Sequence, residues 1–262
     1  MNNETIAYSN KKNDGFGSVY LCCMNALATA RRDKQVYYHT HFDDLPGTTL
    51  HHNYYNDKSF SRKMNDFTGL KTDLSYKTTM EIDYRNSDKG GACGGVQGGF
   101  RVNDPNVFYT DVVMNELRES YYSTEKPTPI TCDIAVHIRR GDIAGKCKKT
   151  KTFGSERCIP LKYFIEVLRE IDPKKEKRIA IFSEGEESDF DEIKDDNVDL
   201  YINHDLRTTF HSMVCAPILL TSPSMLSVCC ALLSKNIIYY TKWGGFGVMS
   251  RWIPKDHKTG GT

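Results

Sequence analysis

No apolar run in this 262-residue chain approaches the roughly 18 residues needed to cross a bilayer. Its polar start, Met1-Asn2-Asn3-Glu4, lacks the charged region and apolar core of a secretory signal, so a soluble chain with no transmembrane segment is expected. Charge of one sign is also missing. Lys and Arg number 35 against 34 Asp and Glu, a net charge of +1, which argues against a nucleic-acid surface and for small or neutral partners. No Cys-x-x-Cys occurs, which leaves a structural zinc site without support. The glycine pairs at 90–91, 94–95 and 98–99 never give Gly-x-Gly-x-x-Gly, and Gly141-x-x-x-Gly145-Lys146 is one residue short of a phosphate loop. No Ser/His/Asp or Cys/His set has the strand-turn-helix setting of a covalent nucleophile, and no carboxylate pair marks a glycosidase.

The nine cysteines include the adjacent pairs Cys22-Cys23 and Cys229-Cys230 in apolar helical patterns. They read as buried thiols in a reducing, cytoplasmic compartment rather than as a secreted disulfide framework. Cys147 and Cys158 flank a Lys-rich loop, where a bridge and mobile surface thiols are both open readings.

From residue 131 onward the pattern alternates. Apolar strands are expected at 133–137, 178–182, 198–202, 218–221 and 237–240. Pro160 opens a helix whose apolar face is Leu161, Phe164, Val167, Leu168 and Ile171, and Asp172-Pro173 closes it. Strands alternating with helices imply a parallel sheet, so 127–262 is read as a Rossmann-like lobe whose last residues pack back on the first lobe. Residues 1–126 form the other lobe. It holds a helix over 18–32, a strand over 35–39, a polar region to about 89 and a helix over 106–122. The paired glycines at 90–99 favour turns and leave a ligand-side loop and a plain connector both open, and Glu125-Lys126-Pro127-Thr128-Pro129 is a hinge.

The stretch that carries chemistry is Ile134-Ala135-Val136-His137-Ile138-Arg139-Arg140-Gly141-Asp142. A buried strand that ends in two arginines delivers cations to the edge where α/β sheets bind ligands, and guanidinium suits phosphate. Glu184 and Glu186 follow the strand 178–182 at that same edge, where a carboxylate accepts hydrogen bonds from hydroxyls or caps a helix. Thr221, Ser222 and Ser224 precede the helix 225–233, whose first amides suit an anion. Asp189-Phe190-Asp191 matches a metal-binding Asp-x-Asp but continues the acidic run from Ser183 to Ser188, which reads as a solvated helix start, so no metal is expected.

His137-x-Arg139-Arg140-x-Asp142 resembles the His-x-Arg-Arg-x-Asp signature of the fucosyltransferase superfamily, which includes α1,2-, α1,6- and protein O-fucosyltransferases. Asn13-Asp14-Gly15-Phe16-Gly17-Ser18 is similar to the α1,2 branch's Gly-Leu-Gly-Asn-Gln loop, although Phe16-Gly17-Ser18 departs from Gly-Asn-Gln. The segment from Leu219 to Ser227, with Cys229 to Leu233, resembles that branch's strand, Ser/Thr-rich turn and small-residue helix. Phe182-Ser183-Glu184-Gly185 stands where the family often has Phe-Ser-Asp-Asp.

The resemblance implies a GT-B-like α/β fold with two Rossmann-like lobes, an active site in the cleft between them, 1–126 on the acceptor side and 127–262 on the donor side. It implies an inverting, metal-independent glycosyltransferase needing no cofactor, with a nucleotide sugar (GDP-fucose first, UDP-xylose as an alternative) as donor and a glycan hydroxyl as acceptor. A non-catalytic sugar-nucleotide or glycan-binding module is the other alternative. The donor would meet His137, Arg139, Arg140, Gly15, Gly17, Ser183, Glu184, Thr221, Ser222 and Ser224, with Arg139 stabilising the leaving diphosphate. The base stays open among Asp14, His41, Asp43 and Asp142, of which His41 and Asp43 belong to a cluster with His39 and Asp44 after the strand 35–39; Asp142 could instead orient the arginines. Oligomeric state is not legible.

Overall fold

A computed structural model describes residues 7–9, 14–45, 57–84, 104–143, 158–243 and 247–257. The chain divides into two compact units, 1–126 and 127–262, and each is an α/β structure on a parallel sheet.

In the first unit, strands β1 (Ala7–Ser9), β2 (Val36–Tyr37) and β3 (Ile82–Tyr84) pair in the order β2-β1-β3, both pairs parallel. Helix α1 (Phe16–Asp33) is longer than expected and is buried on every side from Val19 to Ala30, which is how an all-round apolar helix must sit. The expected strand at 35–39 is cut to two residues, Val36 and Tyr37, which pair with Ala7 and Tyr8. Tyr38 still donates to Tyr8 O, and the His39 amide turns to the Thr72 hydroxyl.

The polar region hides a helix, α2 (Lys58–Thr68), started by the Asp57 carboxylate, which accepts from the amides of Ser59 and Phe60. Its buried Phe60, Met64 and Phe67 follow a four-then-three spacing. The helix expected over 106–122 is split, because Asp104 and Thr110 each cap. A 3₁₀ turn (Pro105–Val107) precedes α3 (Asp111–Tyr122). Arg31 ties α1 to both Asp73 and Glu116 with paired hydrogen bonds.

Gly69 ends α2 with φ +67, and a Cβ there would lie 1.9 Å from the Ser120 carbonyl oxygen. Gly69→Ala therefore combines left-handed backbone strain with a backbone clash. It is expected to cost about 3 kcal/mol, read as a lower urea midpoint at unchanged slope.

The second unit holds β4 (Ile134–His137), α4 (Leu161–Ile171), β5 (Ile179–Ser183), a 3₁₀ helix (Glu187–Ile193), β6 (Val198–Ile202), α5 (Leu206–Cys215), β7 (Ile218–Leu220), α6 (Met225–Leu233), β8 (Ile237–Thr241) and β9 (Ile253–Lys255). All strand pairs are parallel, in the order β6-β5-β4-β7-β8-β9. Counted from β4 this is the 3-2-1-4-5-6 order of a doubly wound sheet, whose direction reverses between β4 and β7. Residues 253–255 thus supply the edge strand of their own unit's sheet.

Alternation along β4 sorts its side chains. Ile134, Val136 and Ile138 join one apolar cluster with Ile159, Leu161 and Phe164 of the α4 side, each fully buried residue contributing roughly 1.5–3 kcal/mol. Ala135 and His137 face the opposite way.

The cysteines require a correction. Cys22 in the first unit and Cys158 in the second each take part in a disulfide, whereas Cys23, Cys229 and Cys230 are free and buried. Successive helix residues project about 100° apart, so the adjacent Cys22 and Cys23 meet different surroundings. Disulfides persist under oxidising conditions, and the cysteine argument for a reducing compartment is withdrawn. Cys147 lies outside the described residues. No described helix is long and apolar enough to cross a membrane.

Candidate functional site

The switch between β4 and β7 brings the residues after both strands to one edge of the sheet. Past β4 the chain stays extended, with the Ile138 amide donating to Phe182 O, so residues two apart share a face. His137 and Arg139 point toward the start of α6. His137 Nδ1 lies 2.9 Å from Ser222 Oγ and 2.5 Å from Ser227 Oγ, while Arg139 donates to Ser224 Oγ at 3.4 Å. Ser224 is the residue before the first turn of α6, yet its hydroxyl does not cap the helix. A guanidinium and the positive end of a nine-residue helix therefore converge on one turn, an arrangement suited to anions.

The two arginines part company. Arg140 donates to the carbonyls of Arg139 (2.9 Å) and Ile159 (3.0 Å), and burial lowers its pKa. It braces the chain ahead of α4 and does not join Arg139 at the turn.

Four hydroxyls at this edge were expected to meet a donor, and two of them hold strands together instead. Ser183 donates to Ile138 O at 2.6 Å and holds the end of β4 against β5. Thr221, fully buried, accepts from the Thr241 amide and receives the Thr241 hydroxyl on its own carbonyl, which joins β7 to β8. The other two, Ser222 and Ser224, lie at the turn.

Glu184 lies over Gly141, where an added Cβ would come 2.0 Å from Oε2; Gly141 has φ +54, so only glycine suits the place twice over. The Gly185 backbone is matched in both directions by the Asn203 side chain, accepting at 2.9 Å and donating at 3.1 Å, which fixes the turn that carries Glu184. Asp142's side chain lies outside the described residues, as do the paired glycines at 90–99.

His137 is buried, and that burial, with the positive Arg139 nearby, holds its pKa down to about 3, so the ring is neutral. Asp189 accepts from the Glu186 amide in a reciprocal cap, and Asp191 pairs with Lys194, so each carboxylate of Asp-x-Asp has a protein role. Ser227, which sequence reasoning missed, was recoverable from its position three residues after Ser224 on a helix. Arg251 was missed too. It donates to the carbonyls of Ala231, Leu232 and Ser234 and finishes the far end of α6, and nothing in its local sequence signals this.

The remaining candidates lie in the first unit. Gly15 precedes α1 at an ordinary φ of −57 with nothing within 4 Å of an added Cβ, so glycine is not required there by the protein itself. Gly17 is in α1's first turn, and Asp14, exposed, accepts from the Gly15 amide.

His39 is buried against the Tyr37 hydroxyl and Asn65, and burial brings its pKa to about 4; a base at the surface it is not. Burial alone would raise the pKa of Asp43, but hydrogen bonding and charge from Arg62 outweigh it and hold the carboxylate below its usual range. His41 and Asp44 are exposed.

No known family and no curated protein matches the sequence. Similar solved structures include POFUT1 in complex with GDP-fucose, at 10% identity over 90% of this chain and 96% of that one with a TM-score of 0.42. Others are the E. coli heptosyltransferase WaaC with ADP (11%, 97% and 94%, TM-score 0.48) and the α-1,6-fucosyltransferase NodZ soaked with GDP-fucose (9%, 90% and 95%, TM-score 0.39).

Proposed function

We propose that this protein is a GT-B-type glycosyltransferase that holds the diphosphate of a nucleotide sugar at the Arg139–Ser224 turn and passes the sugar to a glycan hydroxyl with inversion. The observation that carries the reading is the meeting of Arg139 with the amino end of α6 at the strand-order switch of a doubly wound sheet. The motif resemblance around residues 137–142 favours GDP-fucose as donor.

In this mechanism the sugar–phosphate bond breaks as the acceptor oxygen attacks the anomeric carbon, and negative charge grows on the departing diphosphate. Arg139 and the helix dipole stabilise that charge where it develops. The acceptor proton goes to a base drawn from Asp14, His41, Asp43 or Asp142. Asp43, already paired with Arg62, is the weakest of them.

Thermal-shift measurements with GDP, UDP and ADP, followed by turnover of GDP-fucose with a panel of glycans, test the proposal. GDP is expected to raise Tm most, by mass action on the folded state. A fold indifferent to all three nucleotides would refute it, UDP in first place would move the donor to another sugar, and protection without turnover would leave a binding module.

A further inference from the structure

His137 and Arg139 share one face of the strand end, and each reaches a serine of the same turn. The imidazole does more than reach one. Its Nδ1 meets Ser222 Oγ at 2.9 Å and Ser227 Oγ at 2.5 Å, and these two serines bracket the turn, one before Pro223 and one inside the first helical turn of α6. Ser222 is 1% exposed, Ser224 1%, Ser227 0% and His137 8%, so the bonds are made away from water, where losing one partner strands the other. A ring nitrogen bonds through one site, and two protein hydroxyls already occupy it.

We propose that His137 is a positioning residue, which pins both ends of the 222–227 turn to the end of β4 and so sets the distance between Arg139 and the first amides of α6. The inference rests on the reading of that turn as a diphosphate site. It assigns the Nδ1 side of His137 to the protein's own framework.

The test compares GDP affinity by calorimetry and Tm across His137→Leu, His137→Asn, His137→Gln, Ser222→Ala/Ser227→Ala and Arg139→Ala. His137→Leu is expected to weaken GDP about tenfold, the scale of one buried hydrogen bond lost at a site that must keep its geometry. An Asn amide places a polar atom near the position of Nδ1, so His137→Asn should return to within about threefold of the parent, whereas His137→Gln, whose amide reaches toward Nε2, should not. That contrast separates positioning from general stability, which both amides alter alike.

If His137→Leu does not fold, the double serine variant, which removes the same bonds and leaves the ring, carries the comparison and should match the tenfold loss. Parent-like affinity in either, with affinity lost in Arg139→Ala, overturns the role of His137. Recovery by Gln and not Asn overturns it as well and makes Nε2 the working atom. Undiminished affinity in Arg139→Ala instead brings down the site reading itself.

Discussion

Arg139→Ala is expected to lower turnover by about a hundredfold or more and to take most of the nucleoside-diphosphate affinity with it, while Arg140→Ala leaves affinity within a few-fold of the parent. The contrast follows from geometry, since adjacent residues of an extended chain face opposite ways. Arg139 meets Ser224 at the start of α6, whereas the Arg140 guanidinium is occupied by two backbone carbonyls on the α4 side. Removing Arg140 strands the buried Ile159 carbonyl and so costs about 1–3 kcal/mol of stability.

Arg139→Lys keeps the charge but not the fork, and should recover only part of the loss. Calorimetry with GDP and urea unfolding on the same samples check both halves. Equal losses of affinity from the two alanine variants, with folding intact, would show both arginines on the ligand and sink the division of labour.

The second large effect is with acid. His39 in the first unit and His137 in the second are buried and neutral, with pKa values of about 4 and about 3 set chiefly by burial, against about 6.5 in an unfolded chain. The sign follows from proton counting. Below pH 6.5 the unfolded chain takes up protons that the folded units refuse, so stability is greatest above 6.5 and falls as pH drops through the window down to about 4 for His39 and about 3 for His137. Each ring contributes up to about 1.4 kcal/mol per pH unit within its window. By pH 5 each ring would have removed about 2 kcal/mol from its own unit, a sizeable part of a typical domain's stability.

Urea midpoints should therefore hold from pH 7.5 to about 6.5 and fall from there to 4.5, and His39→Asn should flatten the slope for the first unit. A midpoint that stays level between pH 7 and 5 would show that one or both rings protonate in place.

Strands β4 to β8 of the second unit and helix α4 were legible because parallel strands read as largely apolar runs and because Pro160 and Asp172 punctuate the helix, whereas β9, with Pro254 at its centre, gave no such run. The first unit was not. Strands of two or three residues carry too little periodicity to register, and the apolar face of α2 is spaced among Ser, Lys and Asn. At the candidate site, sequence pointed to His137, Arg139, Ser222 and Ser224, all of which the fold brings to one turn. It could not say which hydroxyls at a strand end answer to a ligand and which to a neighbouring strand, as Ser183 and Thr221 do. The opposite facing of Arg139 and Arg140 was latent in the period-two pattern of Ile134, Val136 and Ile138, which, continued, assigns residue 140 to the α4 side.

Arg251 sets an order on biosynthesis. Helix α6 leaves the ribosome before the arginine that occupies its last carbonyls, and β9 emerges later still. Until then the turn that carries Ser224, proposed above to hold an anion, leads into a helix unfinished at its other end. A chain stopped just upstream of Arg251 is therefore expected to keep Arg139 and Ser224 and yet hold the proposed ligand more weakly, because the last carbonyls of α6 lose their donor.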